Sequence, residues 1–275
     1  MKISIVDIGS NAVKYKIFNS ENFELDEYYR EPLRLGRDVF SENKLSESTI
    51  SKLIDLLVRY SEIFKERNIE QTYFIATSAV RDSENSDVLI SKLEEKNIHL
   101  KILTGKQEAS LLVNFNADIE DSAVIDIGGG SVEVCINSKS NMHYESFQLG
   151  AVRLLNLNQN ERYEAMSQFG AWLQEFSPIH TTFGLGGNLR AIMQANDHKG
   201  VINTEDLINL IDNYNRLDED ILIQEFDIPK DRIDIVPIAA EIYLFFLSKI
   251  GAKTIENSFS SISDGLVRKV VTGEL

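Results

Sequence analysis

The chain has 275 residues, 43% of them hydrophobic and 26% charged, which is enough to build the cores of two domains. A formal net charge of −15 disfavours nonspecific binding to nucleic acid or to an anionic membrane. The single cysteine, Cys135, excludes an internal disulfide, and no apolar run is long enough to cross a bilayer. The N-terminus enters a predicted strand rather than a signal peptide. We therefore expect a cytoplasmic protein with no membrane partner and no specific nucleic-acid partner.

The first predicted elements are three strands, over residues 3–7, 13–18 and 23 to about 34. Asp7 ends the first strand, and a turn of small residues follows it: Gly9, Ser10 and Asn11. Successive backbone N–H groups in such a turn form a concave site for an anion. The pattern therefore predicts a phosphate site made from Asp7, Gly9, Ser10 and Asn11.

A helix, a strand, a second helix and another strand are predicted next. Ser46 is expected to cap the first helix, and Ser86 to cap the second. The strand at residues 72–77 ends just before Arg81, at the strand end where α/β folds bind ligands. The second strand covers residues 100–103. Arg81 is therefore a candidate phosphate ligand.

Glu108 lies just beyond that strand, where a helix is predicted to begin. A carboxylate in the first turn of a helix is stabilised by the helix dipole, which gives Glu108 an ordinary structural role. Its functional role would be that of a general base at a strand-to-helix junction beside the phosphate turns. Position alone favours the structural role.

The pattern of the N-terminus recurs in the middle of the chain, where predicted strands over residues 123–127 and 132–136 enclose a turn. This turn contains only small residues: Gly128, Gly129, Gly130 and Ser131. Glycines let the backbone approach a ligand closely. Asp126 and Glu133 flank the turn, and such carboxylates suit Mg²⁺ or Mn²⁺ bound together with phosphate. The repetition raises the weight of the phosphate-site interpretation at both places.

The repeat also sets the expected domain organisation. A first domain is predicted over residues 1–118 and a second over residues 119–263, with a C-terminal helix at about 264–275 packing back on the first. Two related domains suggest that the ligand lies in a cleft between them.

The remaining sequence contains one more glycine turn. It follows a predicted strand and feeds a helix, a geometry that suits a nucleotide or a distal phosphate. Its candidate residues are Gly184, Gly186, Gly187 and Asn188. The other predicted elements are a strand near 143–148, a helix opening at 149–154, helices over 204–216 and 218–226, a buried helix ending at 250, a strand at 254–257 and a final helix capped by Ser263.

The order of these motifs resembles that of the exopolyphosphatase/guanosine pentaphosphate phosphohydrolase family, Ppx/GppA, from one end to the other. The matching segments are residues 7–11, 76–82, 105–109, 126–133, 184–187 and 265–268. Single motifs are shared with actin-like ATPases and sugar kinases. The segment around Glu108 and the complete order are much more specific.

The resemblance implies an actin/Hsp70/sugar-kinase-like α/β fold, made of duplicated ribonuclease-H-like domains with an inter-domain cleft. It implies an exopolyphosphatase-like hydrolase that releases terminal phosphate from inorganic polyphosphate with Mg²⁺ or Mn²⁺. Glu108 would be the base that deprotonates water. Asp126 and Glu133 would be catalytic and metal-binding acids. Asp7 would be a further metal ligand, and Arg81 would neutralise phosphate.

Four positions depart from the family pattern. Ala12 stands where many members carry a hydroxyl residue, Gln107 replaces an acid, Val132 replaces a common threonine, and Asn188 occupies the place of another threonine. Each could weaken a phosphate contact or shift nucleotide preference. We also expect a two-domain core without the helical domains of longer relatives. With 28 Lys and Arg against 43 Asp and Glu, we expect short-chain polyphosphate or a guanosine pentaphosphate to be preferred over long chains, with distributive release.

Other functions remain open at this point. Hydrolysis of guanosine pentaphosphate (pppGpp) is the enzymatic alternative, and a noncatalytic polyphosphate or nucleotide sensor is another. A small-molecule kinase on the same fold is a third. The retained acids argue against the sensor, and the glutamate segment argues against the kinase. A homodimer is left open.

Overall fold

The computed structural model describes residues 2–196, 200–258, 261–271 and 273. The chain forms two compact units. The first runs up to Gln107 and takes in the chain from Ser263 onward, and the second runs from Glu108 to Ile262. The domain boundaries expected from the sequence stay a prediction, and residues 272, 274 and 275 of the expected final helix lie outside the described residues.

The strands are, in chain order, β1 (Lys2–Ile8), β2 (Ala12–Asn19), β3 (Leu25–Pro32), β4 (Gln71–Ala76), β5 (Leu100–Ile102), β6 (Ser122–Ile127), β7 (Val132–Ser138), β8 (Asn141–Phe147), β9 (Thr181–Leu185), β10 (Val201–Asn203) and β11 (Thr254–Asn257). The helices are α1 (Leu35–Glu42), α2 (Glu47–Glu66), α3 (Ser78–Arg81), α4 (Ser86–Glu94), α5 (Gly105–Ser110), α6 (Val113–Asn116), α7 (Gln159–Ala165), α8 (Ser167–Gln174), α9 (Gly186–Ala195), α10 (Thr204–Arg216), α11 (Glu219–Glu225), α12 (Val236–Ile250) and α13 (Ile262–Val271). A short 3₁₀ turn covers Lys230–Arg232.

Each unit contains one mixed sheet, and the two sheets follow one plan. The first has the order β3-β2-β1-β4-β5, and the second has the order β10-β11-β9-β6-β7-β8. In each, three consecutive antiparallel strands are followed by two strands parallel to the first of them. The predicted duplication of an α/β domain is therefore confirmed. The additional edge strand β10 was not predicted.

Two helices show how the units build their cores. In the first unit, α2 buries Leu53 and Leu57 against the sheet, and Ser46 caps it by accepting the Thr49 N–H at 3.2 Å, as predicted. In the second unit, α12 is apolar around most of its circumference, which is typical of a buried helix. It ends at Gly251, whose φ of 82° is the left-handed conformation common after helices.

Other predictions of local structure are corrected. Ser86 and Ser263 lie inside α4 and α13 rather than at the capping position. Residues 149–154 form no helix, because the backbone N–H groups of residues 151–153 donate to the carbonyls of the preceding glycine turn. Cys135 is buried in β7, and burial raises the pKa of its thiol to about 12. Among the described residues, no helix combines the length and apolarity needed to span a membrane.

Candidate active site

In the first unit, the predicted phosphate turn joins β1 to β2. The N–H of Gly9 donates to the carbonyl of Ala12 at 3.1 Å, which closes the turn. Gly36, at the start of α1, donates its N–H to the Ser10 carbonyl at 2.8 Å. The Ser10 and Ser78 hydroxyls are hydrogen-bonded at 3.0 Å, so the β4–α3 junction supports the turn as well. Ala12 takes part through its backbone, which explains how a residue without a hydroxyl is accepted here.

Asp7 lies at the end of β1, directly opposite Lys14 on β2. Their side chains form an ion pair, with Lys14 Nζ 3.3 Å from Asp7 Oδ2. Residues opposite each other in an antiparallel pair project to the same face of the sheet. Asp7 is therefore neutralised by a neighbour within its own sheet, and the metal role predicted for it stays a prediction.

The second phosphate turn, between β6 and β7, closes in the same way. The Gly128 N–H donates to the carbonyl of Ser131 at 2.9 Å. Within the described part of the chain, the N–H groups of Gly129 and Gly130 have no acceptor. Two adjacent N–H groups without internal partners at a glycine turn are the donors that an anion nest requires.

The carbonyl side of this turn is fully engaged. Backbone N–H groups of residues 151–153 donate to the carbonyls of Gly128 and Gly129 at distances of 2.8 to 3.0 Å. The Arg153 side chain adds a bond from Nε to the Gly130 carbonyl at 2.7 Å. Because the carbonyls are bonded to the segment behind them, the peptide groups are held with their N–H sides turned the other way.

Gly150 makes this contact possible. A Cβ atom at this position would lie 2.2 Å from Gly130 N and 2.4 Å from Gly129 O, which no side chain tolerates. Sequence reasoning missed this role. The available signal was the Leu-Gly pair that follows the third strand in both units, Leu35-Gly36 and Leu149-Gly150.

The two acids of the second turn lie directly opposite each other, Asp126 on β6 and Glu133 on β7. Both are buried, with only 8% and 2% of their surface exposed. Ser146 on β8 donates its hydroxyl to Glu133 Oε1 at 2.8 Å. Two carboxylates on one face of a sheet at neighbouring positions repel each other unless a cation or a proton comes between them.

A glycine and a tyrosine surround Asp126. Gly186 has a φ of +86°, and a Cβ there would lie 2.3 Å from Asp126 Oδ1. Tyr243 on α12 is fully buried, and burial followed by the nearby Asp126 charge raises the pKa of its phenol well above 10.0. Its hydroxyl lies 3.4 Å from the Leu185 carbonyl. Tyr243 therefore stays neutral beside Asp126, a placement that sequence reasoning did not predict.

The third glycine turn leads from β9 into α9. Asn188 is buried and donates its amide Nδ2 to the Ile127 carbonyl at 2.8 Å. Its Oδ1 accepts a hydrogen bond from Arg232, which is itself only 9% exposed. Gly187 lies against this guanidinium, since a Cβ there would be 2.3 Å from Arg232 Nη2. Arg232 is a further residue that sequence reasoning missed.

Gly184 precedes this turn and lies within β9. A Cβ at Gly184 would lie 2.3 Å from Leu189 Cδ2 and 3.0 Å from Ile255 Cδ1. The need for glycine here is therefore explained by strand–helix packing. Its predicted ligand contact stays a prediction.

Arg81 ends α3 in the first unit. Its Nη1 donates to the Leu103 carbonyl at 2.9 Å, and its Nε lies 3.3 Å from Asp82 Oδ1. These contacts hold the guanidinium at the carboxyl end of the sheet. Arg81 thus lies where the sequence suggested, and its phosphate contact stays a prediction.

Glu108 is 3% exposed and lies in the first turn of α5. That helix begins with a reciprocal cap: the Gln107 N–H donates to Thr104 Oγ1 at 3.2 Å, and the Thr104 N–H donates to Gln107 Oε1 at 2.9 Å. Gln107 therefore fixes the start of the helix that carries Glu108. Its amide replaces an acid without loss of the capping contact.

The acids of the second turn offer two carboxylates to a divalent ion. Among the described residues, no group of three or more His, Cys, Asp or Glu side chains is placed to enclose a metal. Mg²⁺, however, is commonly held by one or two carboxylates together with substrate phosphates. The buried pair Asp126 and Glu133, beside two unengaged N–H groups, fits this second kind of site.

The structure thus gathers the predicted residues into two groups, one in each unit. In the first unit, Asp7 and the turn at residues 9–11 come together. In the second unit, Asp126, Glu133, the turn at 128–131 and Gly186 to Asn188 come together. A shared site formed by both groups stays a prediction.

Comparison with known proteins adds sequence relatives. The model of the Ppx/GppA phosphatase family matches residues 27–175. The bifunctional 3-dehydroquinate synthase/phosphatase of Fusobacterium nucleatum is 32% identical over 166 residues, which are 54% of this chain and 25% of that protein. Exopolyphosphatase 2 of Mycobacterium tuberculosis is 26% identical over 170 residues, covering 56% and 53%. The guanosine-5'-triphosphate,3'-diphosphate pyrophosphatase of Photobacterium profundum is 25% identical over 174 residues, covering 60% and 35%. These matches span at most about half of the curated relatives' length.

Solved structures match over nearly the whole chain. An exopolyphosphatase from Cytophaga hutchinsonii aligns with a TM-score of 0.87 at 20% identity, covering 99% of this chain and 98% of that one. The Aquifex aeolicus member of the Ppx/GppA family aligns with a TM-score of 0.77 at 21% identity, covering 100% and 99%. At these identities the likeness concerns the fold, and it confirms the predicted fold class.

Proposed function

Because the chain belongs to the Ppx/GppA phosphatase family, we propose that it hydrolyses the terminal phosphoanhydride bond of inorganic polyphosphate. The observation that carries this proposal is the second turn, where Gly129 and Gly130 present N–H groups beside the buried pair Asp126 and Glu133. In phosphoryl transfer, positioning the substrate and neutralising its charge matter more than covalent chemistry. The N–H donors of this turn can contribute to both.

A divalent ion is part of this proposal. Asp126 and Glu133 would hold Mg²⁺ or Mn²⁺ together with substrate oxygens, since they are buried and directly opposed on neighbouring strands. When bound, the ion would neutralise phosphate charge and polarise the phosphoryl group. The ion would also remove the repulsion between the two acids.

The chain's own residues supply the remaining steps. The N–H groups of Gly129 and Gly130 bind anionic phosphate oxygens. A carboxylate oxygen of Glu108 accepts the proton of the attacking water, a contribution of roughly 10²- to 10⁴-fold for a general base. Further phosphates of the polyphosphate substrate are bound by the turn at residues 9–11 and by Arg81.

Substrate length follows from charge. Each phosphate bound by Lys or Arg adds a favourable, salt-dependent contribution, and this chain has 28 such residues against 43 acids. We therefore expect short polyphosphate to be preferred and release to be distributive. In a gel-resolved digest of long polyphosphate with little enzyme, the whole population should shorten together. Full-length chains that coexist with free phosphate would instead indicate processive action along a basic groove.

Hydrolysis of pppGpp is the second candidate function. The relative from Photobacterium profundum is named for that substrate class. The observation that favours it here is the turn at Gly186 to Asn188, which opens α9, a helix of ten residues. A helix N-terminus with a glycine turn is a favourable place for a nucleotide phosphate.

The test is a panel of substrates: polyphosphates of defined length, pppGpp and ATP, each with Mg²⁺ and with EDTA. We expect metal-dependent phosphate release that is faster from short polyphosphate than from ATP. Faster release from pppGpp would establish the second candidate. Tight binding of polyphosphate with no release from any substrate would indicate a sensor, and undiminished release in EDTA would contradict the metal role.

Glu108→Gln tests the proposed base. We expect phosphate release to fall by roughly two orders of magnitude while polyphosphate binding persists. Glu94→Gln, at an exposed position of α4, is the matched control and should keep wild-type activity. Wild-type turnover in Glu108→Gln would remove this residue from the mechanism.

The homodimer also stays a prediction, to be examined by sedimentation velocity.

A further inference from the structure

One peptide group connects the candidate metal ligand to the candidate phosphate nest. It joins Ile127, the residue after Asp126, to Gly128. Its carbonyl accepts the Asn188 amide at 2.8 Å, and its N–H donates to the Ser131 carbonyl at 2.9 Å. Because a peptide group is planar, hydrogen bonds on both sides fix the orientation of the whole plane. That plane determines the direction in which the turn leaves β6.

Arg232 fixes the orientation of the Asn188 amide. Its guanidinium donates to Asn188 Oδ1, and a hydrogen bond from a charged donor is stronger than one between neutral groups. With Oδ1 accepting from Arg232, Nδ2 must face the Ile127 carbonyl. Gly187 leaves room for the guanidinium, which is almost fully buried. Both polar atoms of the Asn188 side chain are thus committed to the protein.

The first unit contains an independent example of the same arrangement. Ile8 precedes Gly9 as Ile127 precedes Gly128. The carbonyl of Ile8 accepts the Thr77 N–H at 3.3 Å and the Thr77 hydroxyl at 3.4 Å. Thr77 is the first residue after β4, and Asn188 is the third residue after β9. In both units, a polar residue at the junction after the fourth strand therefore holds the carbonyl that precedes the phosphate turn.

We infer that Asn188 and Arg232 form a positioning pair, which aims the glycine turn and Asp126 and does not itself bind substrate. This inference rests on the proposed function only for its effect on turnover. It gives Asn188 a different role from the nucleotide contact expected from the sequence. It also explains why the departure from threonine at this position is tolerated, since an amide makes the same bond to the carbonyl.

Two variants of Asn188, whose new side chains have the same shape as each other, test the pair. Asn188→Val removes the donor and leaves the Ile127 carbonyl buried without its bond, and we expect kcat to fall about tenfold or more with KM changed by less than about twofold. Asn188→Thr restores a hydroxyl donor, as at Thr77, and should recover most of the loss. The control is Asn196→Val, at the other end of α9, which removes an amide bond to the Ile192 carbonyl. Raised KM with unchanged kcat in Asn188→Val would overturn the inference.

Hydrogen–deuterium exchange supplies a readout that does not depend on activity. In Asn188→Val and in Arg232→Met, amide exchange in the peptide covering residues 126–131 should accelerate about tenfold or more, and by more than exchange in the other peptides of the second unit. Asn188→Thr and Asn196→Val should leave it near the wild-type rate. Unchanged exchange in this segment in both donor-removing variants would overturn the positioning role. If the wild-type chain releases no phosphate from any substrate, the proposed function fails, and the exchange rates alone decide the positioning role.

Discussion

In the first unit Asp7 faces Lys14 across two strands, and in the second unit Asp126 faces Glu133 at the same spacing. The backbones agree, since each turn is closed by a glycine N–H that donates to the carbonyl three residues on. The charge across from the first acid is reversed. A carboxylate beside an ammonium group is already neutralised, whereas two buried carboxylates require a cation or a proton. On the proposed function, the divalent ion would bind in the second unit and the first unit would hold phosphate.

The strand next to the first acid differs as well. In the first unit Ala76 on β4 pairs with Ile8, the residue after Asp7. In the second unit β9 ends at Leu185, which pairs with Asp126 itself. The residue that follows is Gly186, at the position equivalent to Ala76. Alanine is tolerated in the first unit, while in the second a Cβ would collide with Asp126. Glycine at this position in the second unit therefore leaves space for the Asp126 carboxylate.

The largest effect is expected from Glu133→Lys, which gives the second unit the charge pair of the first. The new ammonium group would neutralise Asp126 and exclude the metal, and we expect phosphate release to fall by roughly 10²-fold or more. Mn²⁺ binding, followed by electron paramagnetic resonance, should be lost while the circular dichroism spectrum is kept. Glu145→Lys on β8, at a partly exposed position, is the control. Retained metal-dependent activity would contradict the assignment of the ion to this unit.

Gly186→Ala should have the next largest effect, because it gives the second unit the alanine of the first. The φ of +86° and the contact with Asp126 Oδ1 both disfavour a Cβ. We expect about a tenfold or greater fall in kcat and a loss of roughly 1–3 kcal/mol in the free energy of unfolding. Kinetics and urea denaturation measure the two quantities. Gly200→Ala, where a Cβ meets nothing within 4 Å, is the control.

Lys14→Glu makes the reverse change and should have a smaller effect. It places two acids opposite each other in the first unit, where the lysine side chain is 28% exposed and Asp7 is 16% exposed. Like charges at opposed positions cost about 1 kcal/mol, which corresponds to a fall of about 2–4 °C in melting temperature for a chain of this size. Calorimetry measures the shift. A loss of activity as large as that of Glu133→Lys would show that the two units do not divide the work as proposed.

The smallest effect is expected on the labelling rate of the Cys135 thiol, which lies in the second unit. Burial raises its pKa to about 12, so at pH 8 it is protonated and unreactive until that unit opens. Lys14→Glu should therefore leave the rate of labelling by a thiol reagent unchanged, and Gly186→Ala should raise it. Faster labelling in Lys14→Glu would mean that disturbing the first unit also opens the second.

The features that the two units share could be predicted from the sequence. Two apolar strands around an Asp-x-Gly turn are a local pattern, and both turns form where that pattern lies. The supports of the second turn could not be predicted in this way. Arg232 lies 44 positions from Asn188 along the chain, and Gly150 meets Gly130 only after β8 has returned. The helix predicted at 149–154 failed for the same reason, because its N–H groups have better-placed acceptors in the turn than in the preceding residues.

The ion pair between Lys16 on β2 and Asp264 on α13, at 2.8 Å, spans 248 positions. The first unit is therefore discontinuous, with residues 108–262 inserted into it. During synthesis at about 5–20 residues per second, Asp264, the partner of the buried Lys16, emerges only after the inserted unit has been made. The unit that begins first is thus completed last. The contacts between its sheet and α13, including this ion pair, can form only after the second unit has been synthesised.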